Sequence, residues 1–207
     1  MTPIAARCRL LLTGAATLAA TALLAAPATA SLAPAGPGCP ETPAVQPFAQ
    51  WGDDSDYFLA PSGSFEQGAA GWALHGKTAV THDNEPWAVN AAGDAGALRL
   101  AAGSSATTAP FCIGVEHRSM RFFADAAASS TLNVDVLVDG PGQSQRAVRI
   151  ATVDGSDAWA PSDVVPMIVN ELAAEHGNAM NVRLRFTPRG AGTWTIDDVF
   201  VDPFRGR

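Results

Sequence analysis

The fold prediction starts from Trp194-Thr195-Ile196-Asp197-Asp198-Val199, near the C-terminus, taken together with Gly63-Ser64-Phe65-Glu66 and the following Gly71-Trp72. The C-terminal stretch places two carboxylates in the middle of an otherwise apolar strand pattern, where an unpaired charge is costly. The earlier stretch places a carboxylate directly after an aromatic residue of the expected core. A hard cation such as calcium, which binds carboxylate and carbonyl oxygens, would neutralise these charges.

Between the two stretches, apolar and polar residues alternate with a period of two, and turn residues interrupt the alternation. The clearest strand covers 132–138, and a second at 182–186 alternates apolar residues with arginines. This pattern predicts an antiparallel all-β sandwich or barrel. The Asp197-Asp198 doublet breaks the alternation of the last strand, which a β-bulge would explain. One segment, 165–178, has the pattern of a short helix within a loop.

Residues 1–30 have a composition of their own. Two arginines precede a run of Leu and Ala that ends in Ala28-Thr29-Ala30. This is typical of a secretory signal peptide that is cleaved before Ser31. No second apolar segment has the length needed to span a membrane. We therefore expect a secreted chain with no membrane span after cleavage, made of a Pro/Ala/Gly-rich arm at 31–56 and one β-domain at 57–207.

The charge balance is acidic. The formal net charge of −7 comes from 13 Lys+Arg and 20 Asp+Glu. Cleavage would remove two arginines and no acid, which leaves 11 − 20 = −9. Lys77 is the single lysine of the chain. Because phosphate binding needs a basic patch, this balance argues against nucleic acid as a partner.

Cys39 and Cys112 are the two cysteines left after cleavage. In an exported protein such a pair predicts a disulfide, and a bond that closes so long a loop is worth about 4 kcal/mol. It would tie the arm to the domain. The alternative is two separate buried thiols. Neither cysteine has the Cys-x-x-Cys spacing of a redox or zinc site.

No motif in the sequence points to catalysis. The sequence contains no serine in a Gly-x-Ser-x-Gly window, and its four histidines are scattered rather than paired four residues apart. A glycosidase needs two carboxylates at a set separation, which the sequence does not define. We therefore expect a protein that is not an enzyme.

Aromatic residues in the loops suggest a binding surface. Flat aromatic faces cover the apolar face of a sugar ring, while carboxylates and amides bind its hydroxyls. The candidates for contact with a sugar are Trp51, Trp87, Trp159 and Tyr57. The alternative for each is an anchor that holds its loop against the sandwich. Trp72 and Trp194 lie in apolar strand patterns and are assigned to the core.

Phe65-Glu66 followed by Gly68-Ala69-Ala70-Gly71-Trp72, with Ile196-Asp197-Asp198-Val199 near the end, resembles the carbohydrate-binding modules of the family 4/9 type. The resemblance implies a galactose-binding-like jelly-roll β-sandwich whose first and last strands lie together. It also implies a structural calcium held by Glu66 with Asp198, or with Asp197. The usual Asn before the opening motif is Ser62 here, which affects the expected coordination. The competing account is that Glu66 and Asp198 bind backbone amides without a metal.

A second resemblance, to a set of uncharacterised secreted actinobacterial proteins, covers the chain from Cys39 to Pro203. It includes Asn84-Glu85-Pro86 and Arg121-Phe122-Phe123. It implies that the arm is part of the domain and supplies no activity. The two resemblances and the loop tryptophans together lead us to expect binding of a polysaccharide or cell-surface glycan. The alternatives are a structural or protein-interaction β-sandwich of the cell envelope and, third, a hydrolase with an unrecognised site.

Overall fold

A computed structural model describes the backbone of residues 31–33 and the whole of residues 39–139 and 145–203. The predicted signal peptide, 1–30, lies outside the described residues. Two antiparallel β-sheets pack against each other around one apolar core. The all-β jelly-roll sandwich with one short helix in a loop is therefore confirmed. No helix within the described ranges has the length and apolar character to cross a bilayer.

The regular elements follow one another in a simple order. The strands are β1 (Ser31–Ala33), β2 (Thr42–Ala44), β3 (Phe58–Leu59), β4 (Ala73–His75), β5 (Thr78–Thr81), β6 (Ala97–Leu100), β7 (Ser105–Thr107), β8 (Phe111–Gly114), β9 (Ser119–Ala126), β10 (Thr131–Asp139), β11 (Gln145–Asp154), β12 (Ala160–Pro161), β13 (Val165–Pro166), β14 (Ala179–Arg189) and β15 (Trp194–Asp202). The helices are a 3₁₀ turn at Ala49–Trp51 and α1 at Asn170–Glu175.

Two sheets form the sandwich. The six-stranded sheet has the order β11-β10-β14-β7-β4, and β8 also pairs with β14. The seven-stranded sheet has the order β12-β9-β15-β6-β5, with β13 on β9 and β3 on β15. Strands β1 and β2 pair separately. Neighbouring strands are mostly distant in sequence, so long-range pairing sets which side chains meet.

The alternation of β10 and β14 explains which faces become the core. Val134 and Val136 of β10 and Leu184 and Phe186 of β14 are fully buried between the sheets. The intervening residues face outward, because successive strand side chains point to opposite sides. The two tryptophans assigned to the core, Trp72 and Trp194, are both buried there, as predicted.

The helix is shorter than the sequence pattern indicated. We predicted 165–178, but Val165–Pro166 forms β13 on β9 and α1 begins only at Asn170. Proline disfavours the α conformation in the residue before it, which leaves Val165 free to pair in an extended conformation. The helix ends before Gly177, whose φ of +82° is the left-handed conformation expected after a helix.

The arm is tied to the sandwich at both ends. Cys39 and Cys112 form the predicted disulfide, which links the arm to β8 across 73 positions of sequence. Further along, Val45 and Tyr57 form a backbone bridge. Between them Phe48 is fully buried and its ring stacks on Phe123 of the seven-stranded sheet at 5.2 Å. The arm therefore covers the outer face of that sheet.

Candidate functional site

The predicted β-bulge lies in β15. The register between β15 and β9 shifts between Asp197 and Phe200, and Asp198 has a φ of +45°. Aspartate tolerates this left-handed conformation better than most residues do. Val199 then returns to the core, and its N–H donates to the carbonyl of Gly63 at 3.1 Å. The opening and closing stretches of the fold are thus adjacent.

Carboxyl groups collect at the bulge. We call Glu66, Glu85, Asp94, Asp197 and Asp198 the carboxylate centre. Asp198 is almost fully buried, and neither oxygen of its side chain has a hydrogen-bond partner among the described residues. Burial, together with the charges of Asp94, Glu85 and Glu66, raises the pKa of Asp198 to about 8. Burial and the charge of Asp198 raise the pKa of Asp197 to about 9.

The other members of the carboxylate centre accept hydrogen bonds from the backbone. Oε1 of Glu66 accepts from Ala95 N–H at 2.8 Å and from Gly96 N–H at 2.6 Å. Oδ1 of Asp197 accepts from Asp198 N–H at 2.7 Å. Glu66 therefore binds backbone amides, as the alternative without a metal predicts. Within the described part of the chain, Asp198 does not.

The carboxylate oxygens at the bulge are of the type that a hard cation binds, but too few of them converge on one point. Two buried carboxylate oxygens of Asp198 lack donors, and burial together with three further carboxylates raises its pKa. However, no three His, Cys, Asp or Glu side chains in 39–139 or 145–203 converge closely enough to hold a metal. Calcium at this point would therefore require backbone carbonyls or water as additional ligands, which calcium accepts.

Three aromatic rings contact one another on the outer face of the seven-stranded sheet, where Phe123 is fully buried and the two tryptophans are partly exposed. We use the name aromatic platform for Trp51, Trp87 and Phe123. The Trp51 and Trp87 centroids are 4.9 Å apart with the rings perpendicular, and both rings contact Phe123, at 5.4 and 5.7 Å. Trp87 is 38% exposed. Two of the predicted sugar-contacting residues are therefore brought together.

The other two candidates lie beside the platform. Trp159 is half-buried and packs against the small apolar cluster beneath the arm. Tyr57 belongs to that cluster and is only 1% exposed. Its hydroxyl donates to Asp53 Oδ2 at 2.7 Å. Tyr57 presents no ring face to solvent, so its contribution is to hold the arm in place.

The loop at 84–89 connects the platform with the carboxylate centre. Glu85 N–H donates to Asp197 Oδ2 at 3.4 Å. The Glu85 carboxylate in turn accepts from Trp87 N–H through Oε2 and from Val89 N–H through Oε1, the latter at 2.6 Å. The position of the exposed tryptophan is thus set by a buried glutamate that lies against the bulged strand.

Sequence reasoning did not assign Glu85 and Asp94 to the site. Asp94 lies in a loop and Glu85 precedes a proline, and both patterns are typical of turns. Glu85 stands 112 positions before Asp197, and no local spacing signals that contact. The one available signal was the stretch Asn84-Glu85-Pro86, which carries part of the actinobacterial resemblance.

Comparisons with known proteins show only remote similarity. The chain matches no protein-family model and no curated protein. Among solved structures, it is similar to the family 11 carbohydrate-binding module of a cellulosomal cellulase of Clostridium thermocellum (9% identity, 73% of this chain and 96% of that one, TM-score 0.47). It is also similar to a xylan-binding family 22 module of Paenibacillus barcinonensis (14% identity, 72% and 94%, TM-score 0.45).

A third similar structure is much longer than this chain. It is the enzymatically active domain of tailspike protein 4 of bacteriophage CBA120, at 14% identity and a TM-score of 0.45. The alignment covers 70% of this chain, which spans 21% of the tailspike chain. These values describe a remote similarity of architecture.

Proposed function

We propose that this protein is a secreted, non-catalytic module that binds a polysaccharide or cell-surface glycan through the aromatic platform. The exposure of Trp87, at 38%, carries the proposal. An indole ring suits the apolar face of a sugar ring, and burial of the exposed part of Trp87 by a ligand would be favourable. Secretion is supported by the signal-peptide pattern of residues 1–30.

The surroundings of Trp87 support a rigid binding surface. Its backbone is tied to Glu85 and its ring rests on Trp51 and Phe123. A side chain that is already ordered loses less conformational entropy when a ligand binds. The same packing is also what a loop anchor needs, so exposure is the property that distinguishes the two roles.

A structural calcium at Asp198 belongs to the same proposal. The buried oxygens of Asp198 without donors support it, as does the position of Glu66 and Glu85 nearby. When bound, calcium would neutralise the carboxylate centre and so fix the base of the Trp87 loop. Titration calorimetry of chelator-treated protein with calcium chloride tests this part. We expect heat of binding with the wild type and none with Asp198→Ala.

Affinity electrophoresis against soluble neutral polysaccharides tests the glycan-binding part. We expect at least one polymer to retard the protein, and Trp87→Ala to weaken binding about tenfold, as the loss of an aromatic contact and its buried area predicts. Trp87→Phe should retain most of the affinity. Leu74→Ala is a matched control, because Leu74 is equally exposed (37%) and lies on β4 of the other sheet.

Three results would contradict the proposal. Failure of every glycan to bind, or equal loss in Trp87→Ala and Leu74→Ala, would favour the structural or protein-interaction alternative. Release of new reducing ends from a bound polymer would instead favour the hydrolase alternative.

A further inference from the structure

The outer face of the six-stranded sheet is polar and carries arginines. Cross-strand partners share a face, so the register aligns the outward residues of β11, β10 and β14 in rows. The central row runs Arg149, Asp135, Arg185. The rows on either side contain Thr152, Asn133 and Thr187, and Ala147, Leu137 and Arg183. We call this surface the arginine face.

Asp135 organises the centre of the arginine face. Arg149 donates from Nε to Asp135 Oδ1, while Arg185 donates from Nε and Nη2 to Oδ2, the latter at 2.9 Å. The Asp135 side chain is 4% exposed, whereas those of Arg149 and Arg185 are 41% and 35% exposed. Burial alone would raise the pKa of Asp135, but the two arginines hold it below its usual value.

The central row carries an uncompensated positive charge. Two arginines share one carboxylate, which leaves 2 − 1 = +1. On the neighbouring row Arg183 is balanced by Asp139, with Nη1 and Oδ1 2.9 Å apart. A net positive patch is unusual on a chain of formal charge −7. An anion placed over the central row would complete its charge balance.

The donors of the central row are oriented in advance. Arg149 binds Asp135 through Nε, which leaves its two Nη nitrogens. Arg185 uses Nε and Nη2, which leaves Nη1. Planar guanidinium groups with free N–H groups match carboxylates, often through two parallel hydrogen bonds. Because Asp135 already holds both side chains, an incoming anion has less conformational freedom to freeze.

Neutral polar groups flank the charged row. Thr152 Oγ1 donates to Asn133 Oδ1 at 3.1 Å, and Thr187 lies opposite Asn133 on β14. Hydroxyl and amide groups of this kind bind sugar hydroxyls. A surface with a fixed positive centre and a margin of hydroxyls suits a ligand that has both carboxylate and hydroxyl groups.

We propose that the arginine face is a second binding site, which takes the carboxylates of an acidic polysaccharide. The inference rests on the proposed glycan-binding function and adds a ligand class and a separate location. The two sites lie on different sheets, the aromatic platform on β9 of the seven-stranded sheet and the arginine face on β10, β11 and β14 of the six-stranded sheet.

Titration calorimetry with polygalacturonate and with its carboxyl-reduced form tests the second site. We expect the affinity for the acidic polymer to be about tenfold higher than the affinity for the reduced one. Binding of the acidic polymer should weaken as salt is added. Arg149→Gln should lose about tenfold in affinity for the acidic polymer, and Arg149→Lys should lose less because the charge remains. Arg185→Gln is the second variant with the same expectation.

Arg146→Gln is the matched control. Arg146 lies on the same strand as Arg149 but pairs with the core residue Val138, so it belongs to the opposite side of the sheet. It should leave affinity unchanged within about twofold. Arg149→Gln leaves Arg185 bonded to Asp135, and an unfolding midpoint measured alongside verifies that each variant is folded.

The outcomes separate this inference from the proposed function. Equal affinity for the acidic and reduced polymers, equal losses in Arg149→Gln and Arg146→Gln, or no binding of polygalacturonate would overturn the second site. Tighter binding of dextran sulfate than of polygalacturonate would overturn the assignment to carboxylates. In each case, binding of neutral glycans that depends on Trp87 would leave the first site standing. Conversely, if neutral glycans do not bind but polygalacturonate does, the second site stands and the first does not.

Discussion

The backbone N–H of Glu85 lies 3.4 Å from Oδ2 of Asp197, and this bond fixes the base of the Trp87 loop to the bulged strand. The side chain of Glu85 then binds Trp87 N–H and Val89 N–H. One buried glutamate thus joins the carboxylate centre to the exposed indole. The arrangement leads to predictions about both.

Replacement of Glu85 should release the Trp87 loop. In Glu85→Gln, the amide nitrogen would face one of the two N–H donors that the carboxylate now satisfies, and an unmet buried donor costs about 1–3 kcal/mol. We expect faster hydrogen exchange at Trp87 and Val89 and a shift in tryptophan emission. Asp83→Asn is the control, because Asp83 is exposed and lies directly before this loop. Unchanged exchange in Glu85→Gln would show that the side chain does not hold the loop.

The carboxylate centre should make stability depend on pH and calcium. The folded-state pKa of Asp198, about 8, lies above its ordinary value of 3.8. Its contribution to stability is therefore complete below pH 3.8 and is lost as pH rises through 8. Without calcium, the unfolding midpoint should fall over this window. Calcium should raise the midpoint, and more at pH 8 than at pH 5, because it binds the deprotonated form.

Asp198→Asn tests the origin of that dependence. Asparagine tolerates the positive φ at this position, so the backbone need not change. In chelator, the variant should have a shallower pH profile than the wild type and a higher midpoint at pH 8. It should also respond less to calcium. If the unfolding midpoint of Asp198→Asn depends on pH and on calcium as that of the wild type does, another group is the origin of the dependence.

Removal of the disulfide should destabilise the arm and the domain together. The bond spans 73 positions, and closing a loop of that size is worth about 4 kcal/mol on the chain-entropy estimate. For a domain of this size, the midpoint of Cys39→Ser/Cys112→Ser should fall by about 2–4 °C per kcal/mol. Reduction of the wild type should reproduce the shift. A midpoint unchanged by both treatments would contradict a stabilising role.

Arg121 should be a stabilising contact between arm and sheet. Its Nη1 donates to Asp53 Oδ2 at 2.9 Å, and its guanidinium lies 4.2 Å from the Phe48 ring centroid. Removing one partner of a largely buried ion pair costs about 3–5 kcal/mol. Arg121→Gln should therefore lower the denaturant midpoint clearly, whereas Arg99→Gln, at an exposed position of β6, should not. Similar midpoints for the two variants would show that the contact adds little.

Several features of the fold were predictable because their signals are local. The alternation at 132–138 and 182–186 identified two long strands, and the Asp197-Asp198 doublet identified the bulge. The helix prediction included Val165 and Pro166 because apolar spacing alone does not register that Val165 pairs with Met120 on β9. Long-range pairing overrode the local pattern at that point.

The candidate sites were only partly predictable for the same reason. Trp51 and Trp87 were selected as loop aromatics, but nothing local indicated that their rings would meet on Phe123. Tyr57 has the same kind of neighbours in sequence, yet the arm buries it. Whether a loop aromatic is exposed depends on what the rest of the chain packs over it.

The sequence was enough to predict the long strands at 132–138 and 182–186, the cysteine pair and the alternation of side chains between the two faces of a strand, because a period of two and the position of cysteines are properties of the chain. Which residues lie next to each other in space depends on how distant parts of the chain pack together. Asp135 and Arg185 are 50 positions apart and meet because β14 pairs with β10, and Glu85 reaches Asp197 because a loop folds over the bulge. Alternation fixes the side of a sheet to which a residue points, but the order of strands fixes which charges lie together.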